Sequence, residues 1–396
     1  MKDLNSNMKE NLSRAFLTAQ AAGKVVNVDS LSKPLRLVEV ELLRAGNAYF
    51  VRVRDDNGDF GLAPAKSQLG NVLNFFAWAA EFFVGRDARD IDALSEDVYF
   101  HARHYKYAGL PFWLAAASVE VAVLDLLGRA ANLAVAQLLG GWRRREIPVY
   151  LSSMARHTTP EEEVDKLATR IGETGVQAVK FKIGGRMSRN ADASPERSER
   201  LVALARRRLG DAITLYADAN GSYDVEHAVE IGRMLESHGV AFFEEPCPWE
   251  EFEQTREVNQ ALDMPVAGGE QDASLPRFNW MLRKRAVSVV QPDLYYVGGF
   301  VRLARVARMA TAAGVPLTQH SSCAGALAAG MLHFAAAFDN LGGFQEYRID
   351  EPDEPWCSPA IRVKQGKVQV PEGSGLGLAV DAAFLGRAER LAGARR

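Results

Sequence analysis

Apolar and polar positions change rhythm twice along this chain. Over residues 35–62 the period is two. Leu35–Leu43 and Tyr49–Arg54 are rich in Val, Leu, Tyr and Phe and are parted by Ala45-Gly46-Asn47, and Asp56-Asn57-Gly58 makes a second turn ahead of Phe60. This pattern predicts a three-stranded antiparallel meander. From about Leu69 to Gly140 the period becomes helical: Phe75, Phe76, Ala79, Phe82 and Phe83 recur at helix spacing, and Ala116, Val119, Val123 and Leu126 share one face of Trp113–Leu127. Gly140-Gly141 closes that run. Residues 1–146 are therefore expected to form an α+β unit, strands first and helices after.

After Ile147 short β-branched or aromatic runs alternate with amphipathic stretches. The expected strands are Val149–Leu151, Ala178–Lys182, Thr214–Ala217, Ala241–Glu244, Pro265–Gly268, Val287–Gln291, Pro316–Thr318 and Gly343–Glu346. Thr159-Pro160-Glu161-Glu162 is a capping box with proline at the first helical position, and Ser194-Pro195-Glu196 opens the next helix similarly. Eight strands with helices between most of them predict an α/β fold of parallel β/α-barrel type over residues 147–350. A doubly wound open sheet competes, but no GxGxxG follows a strand. In the tail, residues 351–396, Ile361–Val370 alternates around Gln365-Gly366 as a hairpin, and Gly373–Gly377 is a glycine-rich turn. This segment is expected to return to the first unit.

Composition narrows the function classes. With 396 residues, 47 basic and 50 acidic side chains and a net charge of −3, the chain lacks the basic field that nucleic acid or an anionic membrane demands. Cys247, Cys323 and Cys357 are odd in number and form no CxxC pair, which excludes a disulfide scaffold or zinc ribbon and fits a reducing compartment. Met1–Lys24 has no apolar signal core. The two most apolar windows, Pro111–Gly128 and Cys323–Phe338, are expected to be buried helices, the first because it carries Glu120 and Asp125, the second because it is short. A cytoplasmic protein is expected.

In a parallel barrel, chemistry sits where strands end. Strand 2 ends in Lys180-Phe181-Lys182, strand 3 in Asp218-Ala219-Asn220, strand 4 in Glu244-Glu245-Pro246, strand 5 in Gly269-Glu270, strand 6 in Asp293, strand 7 in His320 and strand 8 in Glu346. One acid after a strand is ordinarily a helix cap. Seven ionisable ends in succession would repel one another unless a metal or substrate organised them. Asp218, Glu244 and Glu270 recur one β/α unit apart, and their all-oxygen donor set suits Mg²⁺ before Mn²⁺, not zinc. Lys180 and Lys182 lie two apart on a strand and so share a face. Their proximity is expected to depress their pKa values and make a base. His320 and Asp293 form a dyad, the carboxylate orienting the ring.

As an ordered set these motifs, with Gln291-Pro292-Asp293 and Phe344-Gln345-Glu346, resemble the enolase superfamily in its mandelate racemase subgroup, over nearly the whole chain. The resemblance implies a modified TIM barrel, (β/α)7β, with an α+β capping domain, one Mg²⁺ per subunit on Asp218, Glu244 and Glu270, and a small carboxylate substrate. It implies Lys182 as base on one face and His320, paired with Asp293, as acid/base on the other. Lys180 would lie by the substrate carboxylate, Glu346 would hydrogen-bond the enolate, and Asn220 would sit near a hydroxyl. Arg156, His157, Ser321 and Ser322 are further candidate contacts, and the capping segments Thr18–Leu31 and Leu62–Leu69 are expected to form the lid. Homo-oligomers are common in the family. Members with both the lysine pair and the His/Asp dyad resemble acid-sugar dehydratases, with a racemase or epimerase as the alternative. A muconate-type cycloisomerase would need a lysine where Asp293 stands, a metal amidohydrolase would need His-x-His where Leu151-Ser152-Ser153 stands, and a non-catalytic scaffold would have lost part of the charged set.

Overall fold

The computed structural model describes residues 12–396; the part of the N-terminal reading that falls on residues 1–11 lies outside the described residues. The meander is present as β1 (Leu37–Ala45), β2 (Ala48–Asp55) and β3 (Phe60–Ala65), all antiparallel. A fourth strand, β15 (Glu389–Arg395), pairs with β1 and gives the order β15-β1-β2-β3. The helix Leu110–Ala131 packs under β2 and β3 so closely that a Cβ on Gly61 would lie 2.1 Å from the Ala122 carbonyl oxygen. By length and composition it is the one helix among the described residues that could cross a membrane, yet its apolar window is 89% buried within the protein. Its two acids are satisfied there. Glu120 accepts the N–H of Val301 (3.0 Å), and Asp125 accepts those of Leu62 (2.8 Å) and Leu376 (2.7 Å).

The barrel strands β4 (Glu146–Ser152), β5 (Ala178–Lys182), β6 (Thr214–Asp218), β7 (Phe242–Glu244), β8 (Val266–Gly268) and β9 (Val289–Val290) pair in parallel in chain order. β10 (Gln345–Arg348) closes back onto β4, and helices fill the seven crossovers, which makes the (β/α)7β barrel with a capping domain. The expected seventh strand, Pro316–Thr318, is reduced to isolated bridges of Leu317 with Val290 and His320 with Asp293. Pro316 has no N–H to lend a ladder. On β5 the side chains alternate, so Ala178, Lys180 and Lys182 face the barrel interior while Val179 and Phe181 face the helices. The barrel's lower interior is a plug of Tyr150, Ala178, Phe242 and Ala267, with Tyr216 stacked on Phe242 at 3.9 Å between ring centroids.

The tail hairpin, β12 (Val363–Lys364) and β13 (Lys367–Gln369), does not lie against the first unit as expected. β13 pairs with the start of β4, Val368 opposite Ile147, where buried apolar partners are already aligned. Two further short strands, β11 (Cys357–Ser358) and β14 (Ala379–Val380), pair with each other. The element that returns to the cap is β15.

Candidate active site

Strand register alone puts the first groups in a row. Lys182 is the β-partner of Asp218, and Asp218 that of Glu244. Beyond β8 the chain turns through Gly269, whose φ of +111° is open to glycine and strained for other residues, and this turn delivers Glu270 to the same place. One oxygen from each of Asp218, Glu244 and Glu270 lies within 4.8 Å of the other two, and all three residues are buried. Glu270 Oε2 is buried and accepts no hydrogen bond, a costly state for a carboxylate oxygen unless a cation completes it. Three hard oxygen donors with no sulfur or nitrogen among them fit Mg²⁺.

The lysines stand beneath and beside this trio. Lys180 Nζ lies 2.6 Å and 2.8 Å from the two Glu244 oxygens and 2.8 Å from Glu346 Oε1, and Lys182 Nζ contacts Asp218 Oδ2. Gln291 Nε2 donates to Glu244 Oε2 (2.7 Å). The expectation of a depressed lysine fails at Lys180. Burial opposes its charge, but Glu244 and Glu346, aided by Tyr150 and Asp218, outweigh it and hold the pKa well above the usual lysine value. Counter-ions at hydrogen-bond distance beat a like charge one residue-pair away. Glu346 is correspondingly held down at about 2, because Lys180, His320 and Lys182 overcome its burial, and its Oε2 also accepts the Ser321 N–H (2.7 Å).

His320 Nδ1 lies 2.8 Å from Asp293 Oδ2, and its Nε2 lies 3.3 Å from Glu270 Oε2. Burial disfavours the imidazolium, but Glu270, Glu346 and Asp293 together raise the pKa to about 9. Asp293 is itself held well below the carboxylate range: burial would raise it, but Lys66 and His320 override that. Lys66, which follows β3 of the cap, reaches into the barrel with Nζ 2.9 Å from Asp293 Oδ2.

A cavity of about 380 Å³ opens above this floor, lined by Lys182, Asn220, Glu270, His320 and Ser322 of the expected residues, and by Gln68, Glu245, Trp249, Gln271 and Tyr296 among others. Lys180, Asp218, Glu244, Asp293 and Glu346 are almost wholly buried around it. Arg156 stands behind the wall. Its guanidinium is committed to Asn220 Oδ1 (2.9 Å) and the Gly184 carbonyl (3.1 Å), so the structure gives it the task of fixing Asn220. Of the two lid segments, Leu62–Leu69 contributes Gln68 to the cavity. Thr18–Leu31 contributes nothing to it: Arg14–Ala21 is a helix that buries Leu17 and Ala21 against the outer barrel helices Phe300–Ala313 and Leu275–Lys284.

Three contributors have no assigned role in the sequence reading: Gln291 and Glu245 stand inside the quoted motifs without one, and Lys66 carries no motif at all. Glu245 is buried, with Oε1 unpartnered and a φ of +42°, and burial beside Glu270, Asp218 and Glu244 pushes its pKa well up, which favours the neutral acid.

Residues 50–140 match the mandelate racemase/muconate lactonizing enzyme N-terminal domain, and residues 162–384 match the enolase C-terminal domain-like family. An arabinonate dehydratase of Saccharolobus solfataricus is 31% identical over 265 residues, 66% of this chain and 68% of that one. Among solved structures, a candidate racemase from Roseobacter denitrificans superposes with a TM-score of 0.85 at 34% identity, over 90% of this chain and 99% of that one. A mandelate racemase/muconate lactonizing protein from Paracoccus denitrificans, complexed with magnesium, gives 0.82 at 26%, over the same shares. With both of its domains matched in order, and with the barrel, cap and acidic trio in place, the chain belongs to the mandelate racemase/muconate lactonizing enzyme branch of the enolase superfamily.

Proposed function

We propose that this chain is a Mg²⁺-dependent dehydratase of acid sugars, aldonates or aldarates. It removes the proton α to a carboxylate, expels the β-hydroxyl as water and yields a 2-keto-3-deoxy acid. The observation that carries the reading is the convergence around one cavity of a buried three-carboxylate set, a lysine and a histidine.

In this reading Asp218, Glu244 and Glu270 hold the cation. When bound, it supplies Lewis-acid stabilisation for the charge that α-deprotonation adds to an already anionic carboxylate. Lys180, kept charged by its buried carboxylate partners, adds a fixed positive charge at the cavity floor. Lys182 accepts the α-proton at Nζ. His320, with a pKa of about 9, carries a proton at neutral pH. It delivers that proton from Nε2 to the departing hydroxyl oxygen as the Cβ–O bond breaks, and the enol then takes up a proton from solvent to become the 2-keto acid. Asn220, steadied by Arg156, and Ser322 offer hydrogen bonds to substrate hydroxyls. The dehydratase name of the Saccharolobus relative supports elimination.

A racemase or epimerase is the second reading. It is favoured by two proton-active side chains, Lys182 and His320, on different strands around one cavity, and by the likeness to the Roseobacter protein. The test is a panel of acid sugars assayed with Mg²⁺ for 2-keto product and, in D₂O, for α-proton exchange. Elimination gives 2-keto product, and racemisation gives exchange without it. Lys182→Ala and His320→Asn should each cost product formation roughly 10²–10⁴-fold. Full activity in both variants would end the two-sided mechanism.

A further inference from the structure

We propose that Lys66 is a positioning residue for the His320 acid, supplied by the capping domain. This rests on the reading of His320 as acid given above.

Lys66 is the first residue after β3, yet its ammonium lies inside the barrel mouth, 2% exposed. Nζ donates to Asp293 Oδ2, the same oxygen that meets His320 Nδ1 at 2.8 Å. The other oxygen, Oδ1, accepts the backbone N–H groups of Tyr295 (2.7 Å) and Tyr296 (3.1 Å). Asp293 thus has four donors around it, and Lys66 is the only one that comes from the other domain. Lys66 Nζ also sits 4.2 Å from the Tyr296 ring centroid, and that ring lies against the His320 imidazole at 6.1 Å and 27°. Both surfaces that fix the imidazole, its carboxylate edge and its aromatic face, are therefore backed by one ammonium.

Burying a lysine costs several kcal/mol, recovered only with close counter-charge and good geometry. A surface ion pair would dock the cap at no such cost. What the buried position adds is a fixed orientation for Asp293 Oδ2, and through it for the His320 ring whose Nε2 faces the cavity. The cap segment Leu62–Leu69 then has two tasks: Gln68 lines the cavity, and Lys66 sets the acid. Lys66 touches neither substrate nor reacting atoms and acts through Asp293.

The experiment uses the full chain with Mg²⁺ and, as probe, the acid sugar on which the panel shows product or exchange. Lys66→Met keeps length and removes charge. Product formation should fall roughly 10–100-fold, the usual toll of losing an orienting outer partner, with KM changed less than threefold. α-Proton exchange through Lys182 should persist, which is the profile of His320→Asn. In the His320→Asn background, Lys66→Met should cost nothing further, and Lys66→Arg should recover part of the loss. Equal falls in exchange and product, or a full second loss in the double variant, would make Lys66 a docking strut and overturn the proposal. A crystal structure of Lys66→Met with Mg²⁺ reads the same question without substrate. The imidazole should be displaced from Asp293 or spread over several orientations, and an unchanged ring would overturn the proposal. Should no acid sugar react while the ring does move, the dehydratase reading fails and the positioning of the His320 ring by Lys66 stands.

Discussion

Glu270→Gln isolates the metal. Asp218 and Glu244 each have a lysine Nζ in contact, whereas Glu270 meets no lysine: Gln271 Nε2 donates to its Oε1 (3.1 Å), and Oε2 lies near the His320 ring without a hydrogen bond. Neutralising it should therefore leave the metal-free protein within about 1 kcal/mol of wild type, because no lysine is orphaned and His320 keeps Asp293 and Glu346 as counter-charges. The cation response is another matter. A divalent ion at one hundred times its Kd stabilises the folded state by about 2.7 kcal/mol. An unfolding entropy of roughly 2.1 cal/mol/K per residue gives the 396-residue chain roughly 0.8 kcal/mol/K. Saturating Mg²⁺ should then raise Tm by about 3 °C over EDTA. In Glu270→Gln, with one of three anionic donors gone, the rise should shrink to roughly 1 °C or less at the same concentration. Thermal melts of both proteins in EDTA, MgCl₂, MnCl₂ and ionic-strength-matched KCl read this directly. Equal Mg²⁺ and KCl responses in wild type, or equal Mg²⁺ responses in wild type and variant, would refute the claim that these carboxylates gather a cation.

Two further predictions concern stability. His333 is buried between the Ala136 N–H and the Leu376 carbonyl, and burial pushes its pKa from 6.5 down to about 4. Below pH 6.5 the unfolded chain binds a proton that the folded chain refuses, so this contribution is whole above 6.5 and fades toward pH 4. It should cost about 2 kcal/mol between pH 8 and pH 5, and His333→Gln should flatten the urea-midpoint profile by that amount; parallel profiles would refute it. Gly61→Ala drives a methyl group into the Ala122 carbonyl. It should lose about 2 kcal/mol or more, and an unchanged Tm would mean that strand and helix are not so close.

The strand ends were readable in the sequence because each follows a short apolar run at one β/α spacing, which is how Asp218, Glu244 and Glu270 could be grouped before any coordinates. The His320–Asp293 pair was readable for the same reason. Lys66 was not. It follows an apolar strand end, Ala63-Pro64-Ala65, and its partner stands 227 residues away, so no local period marks it. The protonation of Lys180 was misjudged because two lysines on one face are visible in sequence, whereas the counter-ions Glu244 and Glu346 depend on barrel closure. β15 was missed because Glu389–Arg395 has only partly buried or exposed positions and no apolar alternation. Arg156 is legible as a loop residue beyond the first barrel strand, but its hydrogen bond to Asn220 depends on how the barrel strands are arranged.

Three buried side chains tie the cap to distant parts of the chain. Glu120 caps the barrel helix that begins at Phe300, Asp125 ties the cap strand at Leu62 to the tail at Leu376, and Lys66 braces Asp293. Each is a buried ionisable group on the cap side meeting a partner far along the chain, and each is expensive to leave unmatched. Such contacts make the domain junction intolerant of slippage, because a shift of an ångström or two would strand a charge in an apolar setting. A rigid junction lets a cap segment complete a site whose chemistry sits on barrel strands. In the proposed mechanism the strand ends then stay committed to binding the cation and moving protons. Within Leu62–Leu69 the tasks are divided in the proposed reading: Lys66 is held at Asp293, and Gln68 is the position that meets the cavity contents.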